Sequence, residues 1–211
     1  AVRVEDGRIT AVLDRDEAAD GAREVVLAAD EVLLPGIVDA HVHVNEPGRT
    51  QWEGFATATR AAAAGGITTI VDMPLNSLPS TVTVDALRTK QDAARDQIVC
   101  DVGFWAGALP DNDADLKPLW DAGVFGFKCF LADSGVEEFP HLDAEQLKRA
   151  MTTIASFDGL IIVHAEDADE LAAAPQEAGP EFAKFLASRP QAAEVKAVQR
   201  VIDTVRETGC R

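Results

Sequence analysis

The stretch Gly36-Ile37-Val38-Asp39-Ala40-His41-Val42-His43-Val44 decides how the chain is read. Side chains alternate across a β-strand, so Val38, Ala40, Val42 and Val44 share one face while Ile37, Asp39, His41 and His43 share the other. The first face is apolar and suited to packing on helices. The second then carries two imidazoles side by side. A His-x-His pair on a strand offers two neutral nitrogens to zinc, iron or another borderline metal. Two hydrogen-bonded polar residues are the alternative reading at this point.

Outward from this strand, short apolar runs alternate with helical patterns, the sign of βα units and a parallel sheet. Strands are expected at residues 36–44, 68–73, 98–105, 126–131 and 160–164. Helices are expected near 51–64, 84–95, 115–121, 144–157 and 191–208. In the fourth helix Leu147, Ala150, Met151, Ile154 and Phe157 recur at three- and four-residue steps, and Asp143 with Gln146 forms a capping-box pattern. Upstream, Val2-Arg3-Val4-Glu5 and Arg8-Ile9-Thr10-Ala11-Val12 flank the hairpin signal Asp6-Gly7. Residues 23–27 and 31–34 read as two more strands. The division expected is a partial β domain over 1–35 and the βα units over 36–211.

The 211 residues carry 36 acidic and 19 basic side chains, a formal charge of -17. That balance repels phosphate backbones and anionic lipid, so nucleic acid and membrane are excluded as partners. Hydrophobic residues make up 47% and charged residues 26%, as in ordinary globular chains. There is no apolar run of membrane-spanning length and no basic-then-apolar leader, which points to a cytoplasmic protein. Cys100, Cys129 and Cys210 lack metal or redox spacing and fit reduced thiols. No glycine-rich phosphate loop follows any strand, so nucleotide chemistry has no support.

Two further residues stand out. Lys128 interrupts the apolar run Val124-Phe125-Gly126-Phe127-Lys128-Cys129-Phe130-Leu131. A buried ammonium is costly. Either a carboxylate pairs with it, or its pKa falls and the neutral amine becomes able to take up carbon dioxide as a carbamate. His164 ends Leu160-Ile161-Ile162-Val163-His164, and strand ends form the active face of a parallel barrel. A structural histidine is the alternative there.

The run Leu34-Pro35-Gly36-Ile37-Val38-Asp39-Ala40-His41-Val42-His43 resembles the signature of the cyclic amidohydrolases, which include dihydroorotases, dihydropyrimidinases, hydantoinases and allantoinases. Asn45-Glu46-Pro47-Gly48-Arg49, Trp52-Glu53-Gly54, residues 59–69, Asp72-Met73-Pro74-Leu75-Asn76, residues 124–130, His164-Ala165-Glu166 and Ala187-Ser188-Arg189-Pro190 match as well, and the allantoinase branch most closely. The resemblance implies an α/β fold: an incomplete TIM-type (β/α)8 hydrolase barrel, with about five units present, beside part of an N-terminal β-sandwich. It implies two divalent metal ions, zinc by expectation. His41 and His43 would hold the more buried ion, a carbamate on Lys128 would bridge, and His164 would hold the other. A strand-six His and a proton-shuttling strand-eight Asp are expected beyond Arg211, which makes the chain an inactive fragment of a longer enzyme. Asn76, Ser134 and Gly135 would line the substrate site by family position. Dihydroorotases carry an Arg two residues after the second His to hold a carboxylate. Asn45 stands there, so a ring without a carboxylate is expected, namely allantoin opened to allantoate. Arg49 keeps a dihydroorotase reading open, hydantoinase or dihydropyrimidinase activity is a further alternative, and a non-catalytic scaffold is the rival from another class. A homotetramer is implied for the whole protein.

Overall fold

The alternation read from residues 36–164 becomes six β-strands interleaved with helices, two of them following each other directly, in a computed structural model that describes residues 1–14, 17 and 23–211. Two units are distinguished, Ala1–Pro35 and Gly36–Arg211. In the first, β1 (Val2–Glu5) and β2 (Arg8–Val12) pair antiparallel. Asp6 and Gly7 between them take φ of 50° and 74°, the left-handed turn whose twist suits a two-residue hairpin. The strands expected at 23–27 and 31–34 do not form. Those residues run as exposed irregular chain and pair with no strand among the described residues. Alternation makes a strand only where a neighbour takes up its N–H and C=O groups.

In the second unit, β3 (Ile37–Val42), α1 (Phe55–Ala64), β4 (Ile67–Asp72), α2 (Val84–Ala94), β5 (Asp101–Phe104), β6 (Ala106–Gly107), α3 (Asp113–Asp121), β7 (Phe127–Phe130), α4 (Ala144–Ala155), β8 (Ile161–His164), α5 (Ala168–Ala173), α6 (Phe182–Ala187) and α7 (Gln191–Thr208) follow in order. Pairing is parallel throughout, in the orders β3-β4-β5 and β6-β7-β8. The single strand expected over 98–105 is therefore shorter and is followed, after Trp105, by the two-residue β6. The ladder is bridged at the break. Trp105 N–H donates to the Asp72 carbonyl, and its indole Nε1 reaches across to the Ala40 carbonyl at 2.9 Å.

The two faces of these strands carry two cores. Phe127, Cys129, Ile161 and Val163 turn toward α3, α4 and α7, where Leu116, Leu119, Leu147, Met151, Ile154 and Ala197 meet them. Each buried side chain of this size contributes about 1.5–3 kcal/mol. Val71, Met73, Trp105, Phe130 and Ile162 form a separate cluster on the opposite face with Phe139. Lys128 alternates with Phe127 and Cys129, so the strand period directs it to that second face. Under α1 and α2, Val44, Phe55, Ala62, Ile70 and Ala94 form a third cluster.

Helix ends follow local chemistry. The Asp143–Gln146 capping box is present in both directions at 2.8 Å. α7 stops at Gly209, whose φ of 71° is the left-handed C-cap conformation. α1 begins at Phe55 rather than near residue 51 because Glu46 Oε2 accepts the Phe55 N–H, satisfying a donor the helix leaves open. The short α5 and α6 were not anticipated by the hydrophobic pattern; neither buries a residue fully.

Candidate metal centre

At the C-terminal end of β3, the His41 and His43 rings sit 5.5 Å apart between centroids, with planes inclined at 46°. His41 is exposed and His43 half-buried. Burial lowers the His43 pKa to about 4, with the neighbours His41, Lys128 and Lys90 adding to the effect. The ring is therefore neutral at pH 7, the form that donates a lone pair.

Beneath this pair lies a buried ion pair that the motif reading passed over. Lys90 on α2 and Asp72 at the end of β4 are both fully buried and in direct contact. Lys90 Nζ also donates to the carbonyls of Val44 and Met73 and to Ser77 Oγ, at 3.0, 3.3 and 3.1 Å. Asp72 Oδ1 accepts the Val44 N–H at 2.6 Å. Val44, one residue past His43, is thereby held through both its N–H and its carbonyl. Burial raises the Asp72 carboxyl to about 6 against the opposing pull of Lys90.

Lys128 is 5% exposed and has its pKa lowered by burial. Among the described residues no carboxylate pairs with it; the buried lysine–carboxylate pair here is that of Lys90. Its Nζ lies 4.7 Å from the centroid of the Phe130 ring. His164 stacks on the same ring, with centroids 5.0 Å apart and planes at 21°, because β8 pairs in register with β7 and sets Phe130 opposite His164. One aromatic ring thus adjoins both Lys128 and His164. His164 Nε2 is 2.8 Å from Glu166 Oε2, and Arg189 Nη1 contacts both oxygens of Glu166. Burial pushes the Glu166 carboxyl up, but His164 and Arg189 outweigh it and hold the carboxyl below its ordinary range.

The loops divide the expected substrate residues between two places. Asn76, at φ 75°, brings Nδ2 to 3.4 Å from His43 Nδ1. Ser134 and Gly135 instead line a cleft of about 450 Å³ with Asp133, Leu171, Gln176 and Arg189. The Ser134 hydroxyl bonds within its own loop, to the Phe139 carbonyl at 2.6 Å. Arg49 Nη1 contacts Glu138 at 2.5 Å and the Asn76 carbonyl at 2.9 Å, and its guanidinium lies 5.1 Å from the Trp52 ring centroid. Its charge is already paired, which weakens the case for Arg49 as the anchor of a substrate carboxylate.

Among the described residues no three His, Cys, Asp or Glu side chains gather as a metal-binding group. The donor chemistry still fits a cation site that uses a lysine. The ends of β3, β7 and β8 carry two adjacent imidazoles, one held neutral, a buried lysine that no carboxylate pairs among the described residues, and a third imidazole with Nε2 already engaged. The sequence marked these four residues. It gave no supporting role to Asp72 or Arg189, which lie in matched segments, and did not single out Lys90 or Glu138, although Lys90 falls with Ala86, Leu87 and Ala94 on the buried face of α2, a spacing visible in the sequence.

The Amidohydrolase family model matches residues 32–210. The allantoinase of Streptomyces avermitilis is 61% identical over 211 residues, covering 100% of this chain and 47% of that protein. The allantoinase of Saccharomyces cerevisiae is 50% identical over 176 residues, 82% of this chain and 38% of that one. Among solved structures, the L-hydantoinase (dihydropyrimidinase) from Arthrobacter aurescens is similar, with a TM-score of 0.78 and 33% identity over 84% of this chain and 40% of that chain. The chain spans less than half the length of these relatives. The expected α/β fold, an incomplete TIM-type barrel, agrees with this likeness.

Proposed function

Since the chain belongs to the amidohydrolase family, we propose that the protein containing it hydrolyses a cyclic ureide, opening allantoin to allantoate. The observations that support the reading are the adjacent His41 and His43 rings, with His43 held neutral, and a buried Lys128 that no carboxylate pairs among the described residues. His41 and His43 would hold one divalent cation, zinc by expectation, and His164 the second. Lys128 would bridge them as a carbamate, its neutral amine forming an N–C bond to carbon dioxide and releasing one proton to solvent. When bound, the two cations would supply a water acidic enough to ionise near neutral pH and would polarise the amide carbonyl.

The chain's own residues supply orientation. His43 stays unprotonated through burial. Asn76, fixed by the hold of Arg49 on its carbonyl, would present its amide to a ring polar group beside His43. Ser134 and Gly135 would shape the adjoining wall. With Asn45 in place of a carboxylate-binding Arg and Arg49 paired to Glu138, an uncharged ureide ring fits better than a carboxylated one. A cytoplasmic homotetramer that binds neither nucleic acid nor membrane completes the reading. No described helix is long and apolar enough to cross a membrane.

The test is metal analysis of the full-length protein with allantoin, hydantoin, dihydrouracil and dihydroorotate as substrates. Two metal ions per chain and preferred opening of allantoin are expected. Absence of metal and of ring opening would overturn the proposal, and preference for dihydroorotate would replace its substrate.

A further inference from the structure

We infer that Glu166 and Arg189 are positioning residues that set which nitrogen of His164 faces the metal centre. This rests on the metal reading above, but its geometry stands on separate contacts. An ionised carboxylate only accepts hydrogen bonds, so Glu166 Oε2 at 2.8 Å requires that, whenever the His164 ring carries a single proton, it sits on Nε2. Nδ1 is then left as the lone-pair nitrogen. The stacked Phe130 ring fixes the plane in which that lone pair points.

Arg189 makes the carboxylate a fixed reference. Its Nη1 lies 3.2 Å from Oε1 and 3.0 Å from Oε2 of Glu166. It immediately precedes Pro190, the N-cap of α7. The next residue after Glu166 is tied to the same helix. Asp167, 1% exposed, takes Lys196 and Arg200 of α7 at 3.0 and 2.8 Å, and its N–H donates to the Ala193 carbonyl. Both members of the pair are thus anchored on α7, and His164 takes its orientation from that helix. As a partly exposed ion pair alone, Glu166–Arg189 would contribute little to stability, and deleting it would leave the tautomer of His164 unchanged. Partners of this kind on metal-ligating imidazoles typically alter metal affinity by about 10–100-fold.

The test uses the full-length protein, stripped of metal and labelled with ¹⁵N-histidine, at pH 8. His164 should appear as the Nε2–H tautomer in the wild type and in Glu166→Gln, whose amide oxygen still accepts. In Glu166→Leu it should shift toward a mixture. Zinc titration by calorimetry should then show one site per chain weakened roughly 10–100-fold in Glu166→Leu, with most of that loss recovered in Glu166→Gln and a smaller loss in Arg189→Met. Thermal melts establish that each variant is folded. An Nδ1–H tautomer in the wild type, or unchanged zinc affinity in folded Glu166→Leu, would overturn the inference. A wild type that takes up no zinc would overturn the metal reading instead, while the tautomer in that same protein still decides the role of Glu166.

Discussion

Replacing Lys90 with methionine keeps most of the side-chain volume but removes the cation facing Asp72 at a site where both partners are 0% exposed. Leaving one member of a buried pair uncompensated costs roughly 3–5 kcal/mol. The carbonyls of Val44 and Met73 and Ser77 Oγ lose a donor as well, each worth about 1 kcal/mol. Asp72 can escape part of this penalty by taking up a proton. Burial already raises its folded pKa from 3.8 to about 6 with Lys90 present. A carboxyl with a raised folded pKa contributes stability that is fully present below its unfolded pKa and is lost as pH rises through the folded value. Without Lys90 that value moves higher still. The loss in Lys90→Met should therefore be at least roughly 3 kcal/mol at pH 8 and clearly smaller at pH 5. Urea unfolding at the two pH values measures it. The double variant Lys90→Met with Asp72→Asn should recover much of the loss at pH 8. A cost below about 1 kcal/mol at pH 8, independent of pH, would refute the buried-pair reasoning.

Other predictions concern the centre and its frame. If Lys128 carries the proposed carbamate, Lys128→Met should lower bound metal by at least one equivalent in elemental analysis, while the fold survives in circular dichroism. Glu138 is held below the ordinary carboxylate range chiefly by its hydrogen bond to Arg49; the stabilisation this reflects is present above its unfolded pKa of about 4.5 and lost as pH falls through the folded value. Thermal midpoints of Glu138→Gln and wild type should accordingly differ at pH 7 and draw together as pH falls below about 4.5. Releasing Arg49 should also alter Trp52 fluorescence, given the 5.1 Å contact with its ring. Asp143→Ala removes the α4 capping box and should cost about 1 kcal/mol in urea unfolding.

How far the sequence reached depended on whether a residue announces itself without a partner. The βα order was legible because each strand is a short apolar run bounded by turn residues. α7 was expected over 191–208 and spans those residues, between Pro190 and Gly209. The His41–His43 pair followed from strand alternation alone, and Lys128 from its place inside an apolar run. Residues 23–27 and 31–34 misled because alternation does not supply a pairing neighbour. α5 and α6 are too short to show a helical apolar stripe. Asp72 and Lys90 look like ordinary charges one at a time; only the packing of α2 on β4 brings them together. Glu166 and Arg189 lie 23 positions apart, and their common tie to His164 emerges only when α7 folds back beside the end of β8.

The central claim is that His41, His43, Lys128 and His164 organise a two-metal centre. Anomalous diffraction at the zinc edge from crystals of the full-length, zinc-loaded protein tests it most directly. The account predicts two peaks per chain, one against His41 and His43 and one against His164, with density for a carbamate extending from Lys128 Nζ between them. Peaks elsewhere, or an unmodified Lys128 amine with no zinc beside it, would contradict it.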